Sequence, residues 1–372
     1  MSIYAIDWHT KKEIPIYDGK KIKKIPNSPF SIAEWAKGLE KRKHIFLFEA
    51  GGGDFMKILL HRQGHTVLTM PGIHTKQFRD RIDVEKTDDT DVSLIYELYT
   101  KWVEETVGRA SSGTTVRSSS HPLSFYPFSE LDCTISSLRL FVRRRDLVQE
   151  ERIRENNRAL IFNLTYSLTN TPKKEIDKVQ ELQKTRVEDY KKEEASLTKQ
   201  VNRMLGTLPI WTDKWKKIKG FGPNIVGGLI AELGRCQAQT RAQVRMFTSM
   251  VPREANLTES GKRRRNSNRI RGLLYDAVEQ IIKQKTPGWN EWYYRLKEKY
   301  ASLHPDWSKG KVDNYARRVL KTQLAIEFWS DLRHYGMLPN SGGVSVTNKL
   351  TVSKLRVSSS ASSSLSSTEA QV

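Results

Sequence analysis

Apolar residues gather in three short runs near the N-terminus: SIYAIDWH at 2–9, KHIFLFEA at 43–50 and HTVLTM at 65–70. Each has the length of a strand and is built largely from residues that favour sheets, so each predicts a β-strand. Between the second and third runs, GGGDFMKILLHRQG sets Phe55, Ile58 and Leu59 at helical spacing, after a glycine turn and before Gly64. The result is a strand, helix, strand unit with parallel-sheet character. From Thr87 onward, TDDTDVSLIYELYTKWVEE predicts a helix with acidic residues in its first turn, where the helix dipole favours them. The pattern thus predicts an α/β domain over residues 1–107.

Residues 108–130 break the periodicity with Ser, Gly, Thr and Pro, the composition of a flexible linker. Two charged helical stretches follow, roughly 131–166 and 173–205, separated by the turn-like TNTP. Together they make a helical arm over 131–206. In the second stretch Tyr190, Leu197 and Met204 fall seven apart, with Val187 and Val201 beside that line, an imperfect coiled-coil pattern. Residues 207–339 carry helical patterns at 224–234, 268–284, 290–300 and 313–335, and predict an all-α unit. Residues 340–372 are Ser-rich and too poor in large apolar groups to offset the entropy of ordering, and are expected to be disordered.

Charge narrows the partner class. Lys and Arg number 63 against 42 Asp and Glu, a formal net charge of +21. Such an excess points to a polyanion, above all nucleic acid. A membrane is not expected: no apolar run approaches the roughly 20 residues that span a bilayer. The first ten residues, MSIYAIDWHT, lack the basic-then-apolar layout of a secretory signal, which predicts a cytoplasmic protein. Cys133 and Cys236 stand far apart without a CxxC, and read as two thiols in a reducing compartment rather than as zinc ligands.

Four acids in the first domain stand where phosphodiester chemistry would want them. Asp7 lies inside the first apolar run, and Glu49 ends the second just ahead of Gly51, Gly52 and Gly53. A carboxylate in an apolar strand is costly to bury unless it is paired or binds a metal. Asp88 and Asp91, three apart in a helix, share one face. Such a set can hold two Mg²⁺ ions about 3.5 to 4 Å apart and stabilise both oxygens of an in-line displacement at phosphorus. Salt-bridged or helix-start acids are the plain alternative, and Asp89 competes for a ligand role.

The C-terminal half offers phosphate-binding and nucleophilic candidates. In KKIKGFGPNIVGGLIAELG, Gly220 and Gly222 flank Phe221 ahead of Pro223 and an apolar helix, the pattern of a helix-hairpin-helix turn. Glycines let backbone approach a phosphate, helix-start N–H groups donate to it, and Lys216, Lys217 and Lys219 add charge. Further on, Ser260-Gly261 is followed by six Lys or Arg and no acid through Arg271, including Lys262, Arg263, Arg264, Arg265 and Arg269. A small hydroxyl beside a hinge and an arginine run can present a nucleophile to a bound phosphate. A solvated basic surface is the alternative.

In order, IYAIDWHTKK, FEAGGGDFMKILLHRQGHTVLTMP and KTDDTDVSLIYEL resemble the RuvC-like (RNase H-like) DEDD domain of the transposases of the insertion-sequence family numbered one hundred and ten, which includes the pilin gene invertase Piv. GFGPNIVGGLIAEL followed by FTSMVPREANLTESGKRRR resembles that family's C-terminal transposase domain, and the intervening helices match its coiled-coil arm in position. The resemblance implies a Mg²⁺-dependent recombinase with Asp7, Glu49, Asp88 and Asp91 as metal ligands. It implies Ser260 as the nucleophile of a phosphoserine intermediate, a structured bridge RNA that pairs with donor and target DNA, and a homo-oligomer, dimer to tetramer, whose sites combine subunits. Base pairing would then supply specificity while the protein holds the backbone. The chain departs from the family at Thr248-Ser249-Met250-Val251 before Pro252 and in having Lys262 after Gly261, which leaves Ser249 and Ser267 as lesser nucleophile candidates. Apart from the resemblance, two further readings stay open: a metal-dependent junction nuclease in which the serine is incidental, and a nucleic-acid scaffold without chemistry.

Overall fold

The computed structural model describes residues 2–8, 13–39, 43–50, 52–112, 125–166, 173–234, 238, 240–248 and 268–338. The chain divides into two compact units, with the boundary between Cys133 and Thr134.

The first unit is α/β. Its elements are β1 (Ile3–Ile6), β2 (Glu13–Tyr17), β3 (Ile22–Pro26), α1 (Pro29–Lys37), β4 (Ile45–Glu49), α2 (Asp54–Arg62), β5 (Thr66–Met70), α3 (Gly72–Ile82), α4 (Asp88–Ser112) and β6 (Tyr126–Pro127). They form one mixed six-stranded sheet in the order β3-β2-β1-β4-β5-β6. β1, β4 and β5 are parallel, an antiparallel hairpin of β2 and β3 joins the β1 side, and β6 pairs antiparallel with β5. The apolar runs at 43–50 and 65–70 are unbroken because both faces of the central strands are covered. On one face Ile6, Phe46 and Phe48 pack with Ile32 of α1 and Met56 and Leu60 of α2. On the other, Ala5, Leu47, Leu68 and Met70 pack with Phe78 of α3 and Val92, Ile95 and Tyr99 of α4.

The run at 2–9 yields a shorter strand than its composition predicts. β1 ends at Ile6, and the next residue of β2 in register, beyond the Ile6–Ile16 pair, is Pro15, which has no backbone N–H to give. Asp7 therefore sits one residue past the strand instead of inside it. Within the stretch 108–130, α4 continues to Ser112 and Tyr126–Pro127 adds to the sheet edge, where a proline is tolerated.

The second unit is helical. α5 (Glu130–Tyr166) enters it from Thr134, followed by α6 (Lys173–Leu205), α7 (Pro223–Leu233), α8 (Arg241–Phe247), α9 (Asn268–Lys283), α10 (Trp289–Leu303) and α11 (Lys309–His334). α5 and α6 are joined by ion pairs from Arg144 to Glu193 and Arg152 to Glu194, both at 2.8 Å, and from Arg186 to Glu155 at 3.5 Å. α6 buries Val187, Leu197, Val201 and Leu205, while Tyr190 and Met204 of the anticipated line are half-buried. The segment before α7 is a π turn at Ile210–Lys214 and a 3-10 turn at Trp215–Lys217 where a hairpin would carry a full first helix. It is held by its tryptophans: Trp211 and Trp215 are buried, and Trp215 Nε1 donates to Asp331 at 2.9 Å. Among the described residues no helix is long and apolar enough to cross a membrane. Cys133 is buried in the core of the first unit. Cys236 and the whole of 340–372 lie outside the described residues.

Candidate active site

The parallel pairing of β1 and β4 sets two of the predicted acids side by side. Ile6 stands opposite Phe48, so Asp7 and Glu49 each follow the same rung at the carboxyl edge of the sheet. The chain leaves β1 toward β2 on one side, and β4 leads on to β5 on the other. Such a divergence at the carboxyl ends of strands opens a crevice where α/β sheets bind ligands.

α4 supplies the other two acids. Thr87 caps it: Thr87 Oγ1 accepts from Thr90 N at 3.0 Å, and the Thr87 carbonyl accepts from Asp91 N at 2.9 Å. The cap fixes the start at Asp88 and the phase of the acidic turn. Val92, Ile95 and Tyr99 bury the face that packs on β1, β2 and β4. Asp89 points elsewhere, to Lys24 on β3, with Nζ and Oδ1 2.8 Å apart.

Asp7 is 8% exposed. Burial is the main force pushing its carboxyl up, from 3.8 to about 7, and Glu49, Asp91 and Asp88 add their repulsion in that order, opposed by Lys86. The four acids therefore share one electrostatic neighbourhood. A carboxyl so placed holds its proton near neutrality unless a cation arrives to take its place.

Neighbours outside the acidic set position it. Thr75 of α3 donates from Oγ1 to Glu49 Oε1 and, at 2.9 Å, to the Gly72 carbonyl. Gly72 opens α3 against the same carboxylate: a Cβ there would lie 2.6 Å from Glu49 Oε1. Arg79 of α3 donates to Asp91 Oδ1. Lys57 is buried, donates to the Glu49 carbonyl at 3.3 Å and lies 5.2 Å from the centroid of the Phe48 ring. Trp8 covers the glycine turn, and a Cβ on Gly52 would meet its Cδ1 at 2.4 Å. Thr75, Arg79 and Gly72 went unnoticed in the sequence because GIHTKQFRDRI is polar and α3 buries few apolar side chains.

The donor set is all carboxylate oxygen, which suits a hard divalent cation such as Mg²⁺. As placed, no three acidic, His or Cys side chains among the described residues form a ready metal-binding group. Two of the four acids are engaged otherwise, Glu49 with Thr75 and Asp91 with Arg79. Mutual repulsion favours that spreading, and a cation would oppose it.

In the second unit, Gly220 has φ +92, and its neighbour Lys219 accepts through its carbonyl from Thr286 Oγ1 at 2.7 Å. Gly222 caps α7 with Pro223 at the first helical position, and nothing lies within 4 Å of a Cβ built on it. Lys216, Lys217 and Lys219 are exposed around this turn. Arg269 is drawn inward: it donates to Asp146 and stands 3.6 Å from the buried Glu232, which Arg143 also contacts at 3.2 Å. Ser260, Gly261, Lys262, Arg263, Arg264 and Arg265 lie outside the described residues, as do Ser249 and Ser267.

No protein-family model matches the chain, and a search of curated proteins returned no match.

Proposed function

We propose that the chain is a metal-dependent DNA transposase or recombinase with a RuvC-like first unit, in which Asp7, Glu49, Asp88 and Asp91 hold Mg²⁺ and Ser260 is the nucleophile. The observation that carries the reading is Asp7, a buried carboxylate at the carboxyl edge of β1 whose charge is opposed by the other three acids of the set. A mixed sheet with three parallel strands and an antiparallel hairpin beside β1 is the arrangement an RNase H-like domain calls for. An acidic cluster kept in a basic chain of net charge +21 makes physical sense as a cation site facing a polyanion.

When bound, Mg²⁺ supplies Lewis-acid stabilisation of the charge that develops on the phosphoryl oxygens. The residues do the remainder. Asp7 would have to give up its proton to serve as a ligand, while Thr75 keeps Glu49 aimed at the site. Arg79 holds Asp91 against α3 until that carboxylate is recruited. Ser260 Oγ loses its proton to a base, forms a bond to the scissile phosphorus, and the bond from phosphorus to one sugar oxygen breaks with protonation of the leaving oxygen. Arg263, Arg264 and Arg265 neutralise charge as it accumulates. Donor and target DNA are the substrates. A bridge RNA supplies the pairing, and a homo-oligomer completes the site.

The test uses wild type, Asp7→Ala and Ser260→Ala on paired DNA sites with the co-purified RNA and Mg²⁺. Recombination is expected only from wild type, with a covalent DNA adduct that needs Ser260. Cleavage that survives Ser260→Ala points to a junction nuclease with water as nucleophile, and tight binding without chemistry in every variant points to a scaffold.

A further inference from the structure

α9 and α11 pack together in the second unit and gather positive charge where they meet. Arg271 and Tyr275 lie one turn apart on α9, and Arg317, Arg318 and Lys321 lie on α11. Arg317 is spent internally: its Nε donates to Asp313 at 2.7 Å and its Nη1 to Glu279. Arg271, Arg318 and Lys321 have no ion pair among the described residues. Lys321 is half-buried, and its ammonium lies 5.8 Å from the centroid of the Tyr275 ring. Burial, then the guanidinium groups of Arg271, Arg317 and Arg318, hold the Lys321 ammonium below the usual lysine range. Arg271, Arg318 and Lys321, like charges brought together with no ion pair of their own among the described residues, are a standing cost that a bound anion removes.

The aromatic groups narrow the anion. Tyr275 is 52% exposed despite its size. One to three turns N-terminal on α11, Lys311 lies 4.4 Å from the Trp307 ring, and Tyr315 packs on both Trp307 and Tyr300 while remaining exposed. Lys311, Tyr315 and Arg318 recur at i, i+4 and i+7 and so share one side of the helix. From Lys311 to Lys321 the stripe runs about 15 Å at 1.5 Å per residue. Interleaved cations and open aromatic rings are what a single strand uses, phosphates on the cations and unpaired bases on the rings.

We propose that this face of α9 and α11 is a seat for single-stranded nucleic acid, with Arg271, Arg318 and Lys321 on the phosphates and Tyr275 as a stacking platform. The proposal rests on the reading of the chain as a nucleic-acid enzyme, but needs neither the acidic site nor Ser260.

The probe is a dye-labelled thymidine 20-mer, read by fluorescence anisotropy in EDTA with full-length protein across a salt series. The triple variant Arg271→Gln, Arg318→Gln, Lys321→Gln is compared with Lys184→Gln, Lys192→Gln, Lys199→Gln, which removes equal charge from exposed positions of α6. The first is expected to lower affinity at least tenfold more than the second and to cut the slope of log affinity against log salt by about 2. Tyr275→Ala is expected to cost about tenfold on the single strand and little on a duplex of the same length, and Tyr275→Phe to keep the wild-type affinity. Equal losses from the two triple variants overturn the seat, and equal losses of strand and duplex in Tyr275→Ala overturn the platform. Because EDTA silences the metal site, failure here leaves the acidic-site reading standing, and loss of catalysis in Asp7→Ala leaves this one standing.

Discussion

Asp7→Asn separates a carboxylate kept for a cation from one kept for the fold. The carboxyl of Asp7 is raised from 3.8 to about 7 by burial and by three acids. At 1.36 kcal/mol per pH unit, a rise of about three units means that ionised Asp7 opposes folding by ~4 kcal/mol, an upper figure. The sign follows from linkage. Between pH 4 and pH 7 the folded chain keeps the proton that the unfolded chain has lost, so stability falls as pH rises through that window and levels off above it. Asparagine has nearly the same shape and no charge. The variant should match wild type near pH 4 and exceed it by about 2–4 kcal/mol at pH 8. The assay is urea unfolding in EDTA at a series of pH values, followed by tryptophan fluorescence, since Trp8 sits on the same turn. Adding Mg²⁺ should then stabilise wild type and leave Asp7→Asn unmoved. An asparagine variant no more stable than wild type at pH 8, or a gain that ignores pH, refutes the electrostatic account. A wild type indifferent to Mg²⁺ refutes the link to a cation.

Three other outcomes are expected. Thr75→Val removes the hydroxyl that aims Glu49 and should weaken Mg²⁺ binding about 10- to 100-fold, measured by calorimetry, with a small change in stability. Asp89→Asn breaks the half-exposed ion pair between Asp89 and Lys24 and should leave the chemical unfolding midpoint nearly unchanged, with catalysis unchanged. Gly220→Ala puts a side chain at φ +92, with its Cβ 3.3 Å from the Gln280 carbonyl, and should cost about 1–3 kcal/mol by the same measurement.

Parts of this fold were legible because one physical signal dominated. Strands β4 and β5, covered on both faces, announce themselves as apolar runs, and the acidic start of α4 sits behind a threonine cap. The β2–β3 hairpin was not legible: Pro15, Lys23 and Lys24 interrupt its alternation, and its pairing with β1 is a long-range fact. α3 hid for a related reason, since its work is done by Thr75 and Arg79, whose meaning appears only when Glu49 and Asp91 stand beside them. Helical phase placed Asp88 and Asp91 together, but only the position of Lys24 separated Asp89 from them. Arg269 looked like part of a basic run until Asp146 and Glu232 came within its reach.

Because Asp7 and Glu49 come from neighbouring parallel strands, the hairpin and α1 must be made between them before their edges can align. Asp88 and Asp91 arrive later still, on a helix whose footing is the finished sheet. A chain emerging from the ribosome thus carries its first acid long before the four carboxylates can share one neighbourhood. Under the proposed function, an incompletely closed α/β unit would bind no cation and cut no strand, so activity would wait on the last packing step of the domain.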